Sequence, residues 1–136
     1  MIFLLALLLA AGDIGAVKSE PDLEKRSELA LANADRQMDA ARKAYEAGDQ
    51  AGMRASIAEL TESVEVCYDA LQHTRTEPHN SKYYKRAELQ LKTLIRRLTG
   101  FRDEVNFESR AEVEAAIKKV SDIHDDIIAD IMRRKK

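Results

Sequence analysis

Residues 122–130 hold the densest set of side chains able to do chemistry. His124 stands among Asp122, Asp125, Asp126 and Asp130. A neutral imidazole can ligate haem iron or a divalent metal, and a carboxylate beside it, here Asp125, offers a hard oxygen donor. In a helical bundle such ligands project inward from facing helices. Metal sites need several ligands at fixed spacing. The chain has no C-x-x-C-H, no H-E-x-x-H and no E-x-x-H. The reading is therefore a core or boundary histidine hydrogen-bonded to a neighbour, with the aspartates solvated. No cofactor is expected; His124, with Asp125 for a metal, is the candidate ligand.

Other reactive side chains read as structural. Cys67 lies between Val64 and Leu71 on one apolar stripe, where a thiol packs as a small apolar group. A lone cysteine makes no internal disulfide. His73 and His79 flank Pro78 with no further ligand nearby. No nucleophile–base–orienter set and no Gly-rich phosphate loop can be assembled, so no enzyme is expected. One segment suits binding: Lys82, Tyr83, Lys85 and Arg86, extended by Lys92, Arg96 and Arg97, make a locally basic stretch with aromatics. Its partner would be an anionic polymer, a lipid headgroup or an envelope protein. The net charge of −2 gives no general pull on nucleic acid.

The elements that position these residues are helices. Met53, Ile57, Leu60, Val64, Cys67 and Leu71 recur at 4-3-4-3-4 spacing, one stripe on one helix face. Three more stripes follow the same rule. Helix one is predicted to start at Ser19 and to bury Leu23, Ala30, Ala34, Met38, Ala41 and Tyr45, ending at Gly48. Helix two is capped by Asp49 and runs to about His73. Pro78 breaks the chain, and Asn80-Ser81 caps helix three, with Tyr84, Ala87, Leu91, Leu94, Leu98, Phe101 and Val105 inward. Helix three is predicted to pass Gly100. Ser109 and Glu112 form an S-x-x-E capping box for helix four, whose stripe reads Val113, Ile117, Val120, His124, Ile127 and Ile131. Few glycines, two prolines and 5% aromatics argue against a β fold. The expected fold is all-α: an antiparallel up-down-up-down four-helix bundle over residues 18–136.

The N-terminus speaks to compartment. Ile2 to Ala11 is an unbroken apolar run followed by small residues, the pattern of a secretory signal over residues 1–17. Cleavage would fall after Gly12 or Ala16. No Lys or Arg follows Met1, so the usual positive start is missing. The run is about half of the roughly 20 residues a membrane span needs. The expected product is exported to the periplasm or beyond, does not span a membrane once the signal is removed, and acts by binding or as a structural part, with self-association as one mode.

Two resemblances bear on this. Ala41-Arg42-Lys43-Ala44-Tyr45-Glu46-Ala47-Gly48-Asp49, followed by Met53 and Ile57, resembles one tetratricopeptide-type hairpin over residues 41–60, with no second copy to stack on. Residues 19–136 are similar to small exported bacterial helical-bundle proteins, which implies fold and compartment only. The size and topology are also similar to periplasmic four-helix b-type cytochromes, which would imply Met38 and His124 as iron ligands. Counted from their shared end, those two residues sit about 7 Å apart along the axis, which strains a single iron.

Overall fold

The computed structural model describes residues 13–133. All regular structure among them is helical, and no strand occurs. Residues 13–19 form helix α1. It ends where the ring of Pro21 disfavours helix at Glu20. The Ser19 hydroxyl donates back to the Gly15 carbonyl at 2.9 Å. Helix α2 spans Leu23–Glu46. Its cap is Asp22, not Ser19 as the sequence suggested. Asp22 Oδ1 accepts from the backbone N–H of Glu24 at 3.1 Å and of Lys25 at 3.3 Å. The carboxylate also carries the negative charge a helix N-terminus favours.

Gly48 turns the chain, and it alone among the described residues takes a left-handed φ, of 77°. The N–H of Asp49 reaches the Ala44 carbonyl at 2.8 Å and that of Gly48 reaches Tyr45 at 3.0 Å. Those two bonds are a Schellman ending. Asp49 then accepts from the Gly52 N–H at 2.9 Å and opens α3, Gln50–Gln72. One aspartate therefore serves both helices of the turn.

A 3-10 turn at Pro78–Asn80 leads to Ser81, the cap of α4, Lys82–Glu104. Helix α4 passes Gly100 as predicted. Helix α5, Phe107–Met132, starts three residues before the predicted box. Asn106 is the cap, accepting from the Ser109 N–H at 3.0 Å. Val105 is extended and buried, so the break needs only two residues. Glu112 spends its carboxylate on Arg54 of α3, 2.8 Å away, instead of completing a box with Ser109.

The core takes one stripe from each long helix. Ala30, Ala34, Met38 and Ala41 of α2 meet Met53, Leu60, Val64 and Leu71 of α3, and the predicted α4 stripe is buried through Phe101. In α5 the stripe is Val113, Ala116, Val120, Ile123 and Ile127. Ile117, His124 and Ile131 are half-buried beside it. The two readings share positions 113, 120 and 127. The helix turns the imidazole to the rim, where it finds a partner, because an unpaired polar ring inside costs free energy.

Cross-helix bonds fix the neighbours. Asn33 of α2 is fully buried and donates to Ser63 Oγ at 2.9 Å and Glu59 Oε2 at 3.0 Å on α3. From α2 to α4, Glu28 meets Arg86, Asp35 and Asp39 meet Arg97, and Arg42 meets Glu104. From α3 to α5, Arg54 meets Glu112, Glu65 meets Lys119, and Tyr68 meets Asp130. In both sets the residue numbers rise together. Among the described residues no helix is long and apolar enough to cross a membrane. The apolar run Ile2–Ala11 and the basic end Arg134–Lys136 lie outside the described residues.

Candidate functional site

His124 is the first sequence-predicted residue to place. Its Nε2 lies 3.0 Å from Glu88 Oε2, and the ring sits between α5 and α4 with 13% of the side chain exposed. Asp125 approaches only the outer face of the ring, Oδ1 to Nδ1 at 3.9 Å, and is itself exposed. Met38 is fully buried in the core stripe of α2. The structure brings His124 together with Glu88, not with Met38. Among the described residues no group of three or more His, Cys, Asp or Glu side chains is arranged to hold a metal ion.

The basic segment lies on the outer face of α4. The Lys82 ammonium stands 5.2 Å and the Arg86 guanidinium 5.9 Å from the Tyr83 ring centre. Arg86 also pairs with Glu28, so of the four predicted binding residues only Lys85 makes no ion pair or ring contact among the described residues. Lys85 remains exposed, and Lys92 and Arg96 continue its face.

A polar knot at the far end of α5 was not predicted. Asp130 is 16% exposed at the side chain and accepts from the Tyr68 hydroxyl at 2.8 Å. Tyr84, on the core stripe of α4, lies close enough to feel the charge of Asp130. Burial first, and then the bonded carboxylate, push the Tyr68 hydroxyl well above the usual phenol range. Burial and then the charge of Asp130 push Tyr84 up to about 12. Both phenols therefore stay protonated near neutrality and serve neither as acids nor as bases. Three helices meet at one carboxylate. Outside it lies a cleft of about 310 Å3 formed by Thr74, Arg75, Pro78, Asp130 and Arg133. The available signal was Tyr84 itself, since a phenol on a buried stripe must find a polar partner.

Cys67 is fully buried next to this knot, and burial pushes its thiol up to about 12. A reactive cysteine needs the opposite environment, partial exposure and a positive neighbour.

A surface groove of about 490 Å3 runs between α3 and α5, with a mostly apolar lining. Ile57 and Ala116 make its floor, nearly fully buried, and the exposed methyls of Ala58 and Ala115 make its walls. Arg54 and Glu112 close one end. Glu65 and Lys119 stand at the other end and also line the next cleft, of about 290 Å3, where Asp69, Asp122 and Asp126 gather around Tyr68. The two clefts lie end to end in the channel between α3 and α5, one apolar and one acidic, with the Glu65–Lys119 pair standing between them.

The chain matches no family model. Neither the curated proteins nor the solved structures yield a match. The geometry of this chain is the evidence for what it does. That geometry places the described concavities at the surface, and fills the interior chiefly with apolar side chains, together with the neutral Cys67 thiol and Tyr84 phenol and the bonded Asn33–Ser63 pair.

Proposed function

We propose that this protein is an exported, non-catalytic binding module that works through the α3/α5 groove. The observation that carries the reading is that groove: it is open, apolar-floored and free of any nucleophile–base pair. Binding surfaces have this character, whereas catalytic clefts collect titratable groups with shifted pKa values. The groups pushed furthest here, Cys67, Tyr68 and Tyr84, are shifted toward their neutral forms and bonded or packed in the core.

The scaffold we propose is an up-down-up-down four-helix bundle of α2 to α5. The tight Gly48 turn and the Asn33–Ser63 bond support α2 against α3 in opposite senses, and the Glu88–His124 bond supports the same for α4 and α5. The rising pairs between α2 and α4 and between α3 and α5 support like senses there. Two helical hairpins then lie side by side, with ring order α2, α3, α5, α4. The longer 73–81 connection suits the diagonal step from α3 to α4.

Export rests on the Leu-rich Ile2–Ala11 run. Of the two processing points, cleavage after Gly12 fits better. Val17 is buried in the core and Lys18 pairs with Glu62, so a new charged terminus at Val17 would sit against apolar packing. Mass spectrometry of the protein from the envelope fraction should return a chain beginning at Asp13.

The binding role is tested in cells with a photo-cross-linking side chain at Ala115, in the groove, and at Ala32, on the exposed side of α2. Protein adducts at position 115 and none at position 32 are expected. No adduct at position 115 would end the binding reading.

A further inference from the structure

We infer that the α3/α5 groove receives helix α4 of a second copy of this chain, which rests on the binding reading above and names its partner. The argument is one of matched shape and charge. The exposed positions of α4 from Lys82 to Gly100 include Lys82, Lys85, Arg86, Lys92 and Arg96 and no acid. Among them stands Leu89, a large apolar side chain left 61% exposed. Lys85, Leu89, Lys92 and Arg96 follow i, i+4, i+7 and i+11, so they form a single ridge: basic, apolar, basic. Lys85, Lys92 and Arg96 make no ion pair among the described residues.

The channel between α3 and α5 is the complement of that ridge. Its apolar half would take Leu89 between Ala58 and Ala115, over Ile57 and Ala116. Its acidic half offers Glu65, Asp69, Asp122 and Asp126 against Lys119, beside Glu65, and Lys118, which pairs with Asp122, so acids still outnumber bases. The spacing agrees. Arg96 lies seven residues past Leu89, Glu65 seven past Ala58, and Asp122 seven past Ala115, about 10 Å along each helix. With Leu89 seated, Arg96 falls between Glu65 and Asp122. An apolar anchor fixes position, and the charges set orientation and speed of encounter.

The two surfaces lie on different faces of one molecule. The contact is therefore heterologous: each copy offers a ridge to one neighbour and a groove to another, and assembly continues unless the ring closes. That feature makes the test decisive. Sedimentation of the purified chain should show mass rising with concentration at low salt and falling at high salt. Leu89→Glu spoils only the ridge and Ala115→Glu only the groove. Both positions are exposed, so helical circular dichroism should not change. Each variant alone should weaken association by about tenfold or more. Mixed, the two should form a one-to-one dimer that grows no further, because each keeps the face the other lacks. Arg96→Glu should also weaken association, and Arg96→Glu with Asp122→Arg in one chain should restore it. A monomer at every concentration overturns the inference. So does assembly indifferent to Leu89→Glu and Ala115→Glu, or a mixture that stays monomeric. Adducts at position 115 to a different protein overturn self-pairing yet leave the binding reading intact; no adducts there end both.

Discussion

Asp130 shows how much one side chain can organise. It accepts a hydrogen bond from α3 through Tyr68 and acts by its charge on Tyr84 of α4, while belonging to α5. A hydrogen bond to a charged group contributes about 1.5–3 kcal/mol, and a buried acceptor left short of donors costs a similar amount. Tyr68→Phe should lower unfolding free energy by about 1.5–3 kcal/mol, and Tyr84→Phe by less, since Tyr84 meets Asp130 chiefly through charge. The double variant should lose less than the sum, since both act on one carboxylate. Urea unfolding of the four proteins in a double-mutant cycle reads this directly, and strict additivity would show that the two phenols act independently.

Glycine makes a second contrast at this scale. Gly100 sits inside α4 facing solvent, and an added Cβ there would meet nothing within 4 Å. Gly100→Ala should raise stability by about 0.5–1 kcal/mol, because alanine has less backbone freedom to lose on folding. Gly48 has equal space around it but a φ of 77°, so Gly48→Ala should destabilise, through backbone strain alone. Thermal melts of the two variants should therefore move in opposite directions.

At the scale of the element, the start of α5 decides between two capping residues three positions apart. Asn106 holds the Ser109 N–H, whereas the buried Ser109 hydroxyl has no hydrogen-bond partner among the described residues. Asn106→Ala should cost about 1 kcal/mol, and Ser109→Ala should be neutral or stabilising. A box closed by Ser109 predicts the reverse order. The comparison also explains what could be read from sequence. Breaks built on Gly48 and Pro78 were legible, because backbone sterics there leave few alternatives. The start of α5 was not, because Asn106 and Ser109 are both good caps and only the burial of Val105 separates them. The start of α2 was missed for a similar reason: Ser19 is an able cap, but Pro21 lies between it and the helix.

The face of α5 shows the limit of periodicity. Val113, Val120 and Ile127 fit either of two stripes. Sequence gives no reason to prefer Ala116 and Ile123 over Ile117 and His124, since alanine is a weaker apolar signal than isoleucine. The choice is made by Glu88 on a different helix, which gives the imidazole a place at the rim. The α3/α5 groove was invisible for the same reason. Ala58 and Ala115 are small residues on exposed faces, and only the packing of α3 against α5 makes walls of them. The basic face of α4 was legible, because Lys82, Lys85, Arg86, Lys92 and Arg96 are close in sequence.

For the whole molecule, the interior holds three groups that fold only in their neutral forms, so alkali should be its weakness. Cys67 rises from 9.0 to about 12 and Tyr84 from 10.0 to about 12, and Tyr68 rises further in the same direction. In each case the folded value lies above the unfolded one. The folded chain thus keeps protons that the unfolded chain has released, and stability must fall as pH rises across that interval. The contribution is fully present below about pH 9, where thiol and phenols are neutral in both states. It is lost from there upward through the folded values, at up to about 1.4 kcal/mol per pH unit for each group in its window. Denaturant midpoints between pH 8 and 12 should trace this decline. Lysines also discharge there, so the decisive measurement is a difference: Tyr84→Phe and Cys67→Ala, though less stable at pH 8, should each show a shallower slope than the parent. Parallel slopes would mean that water reaches the thiol and the phenol in the folded protein, and that the three-helix knot at Asp130 opens far more readily than its packing implies.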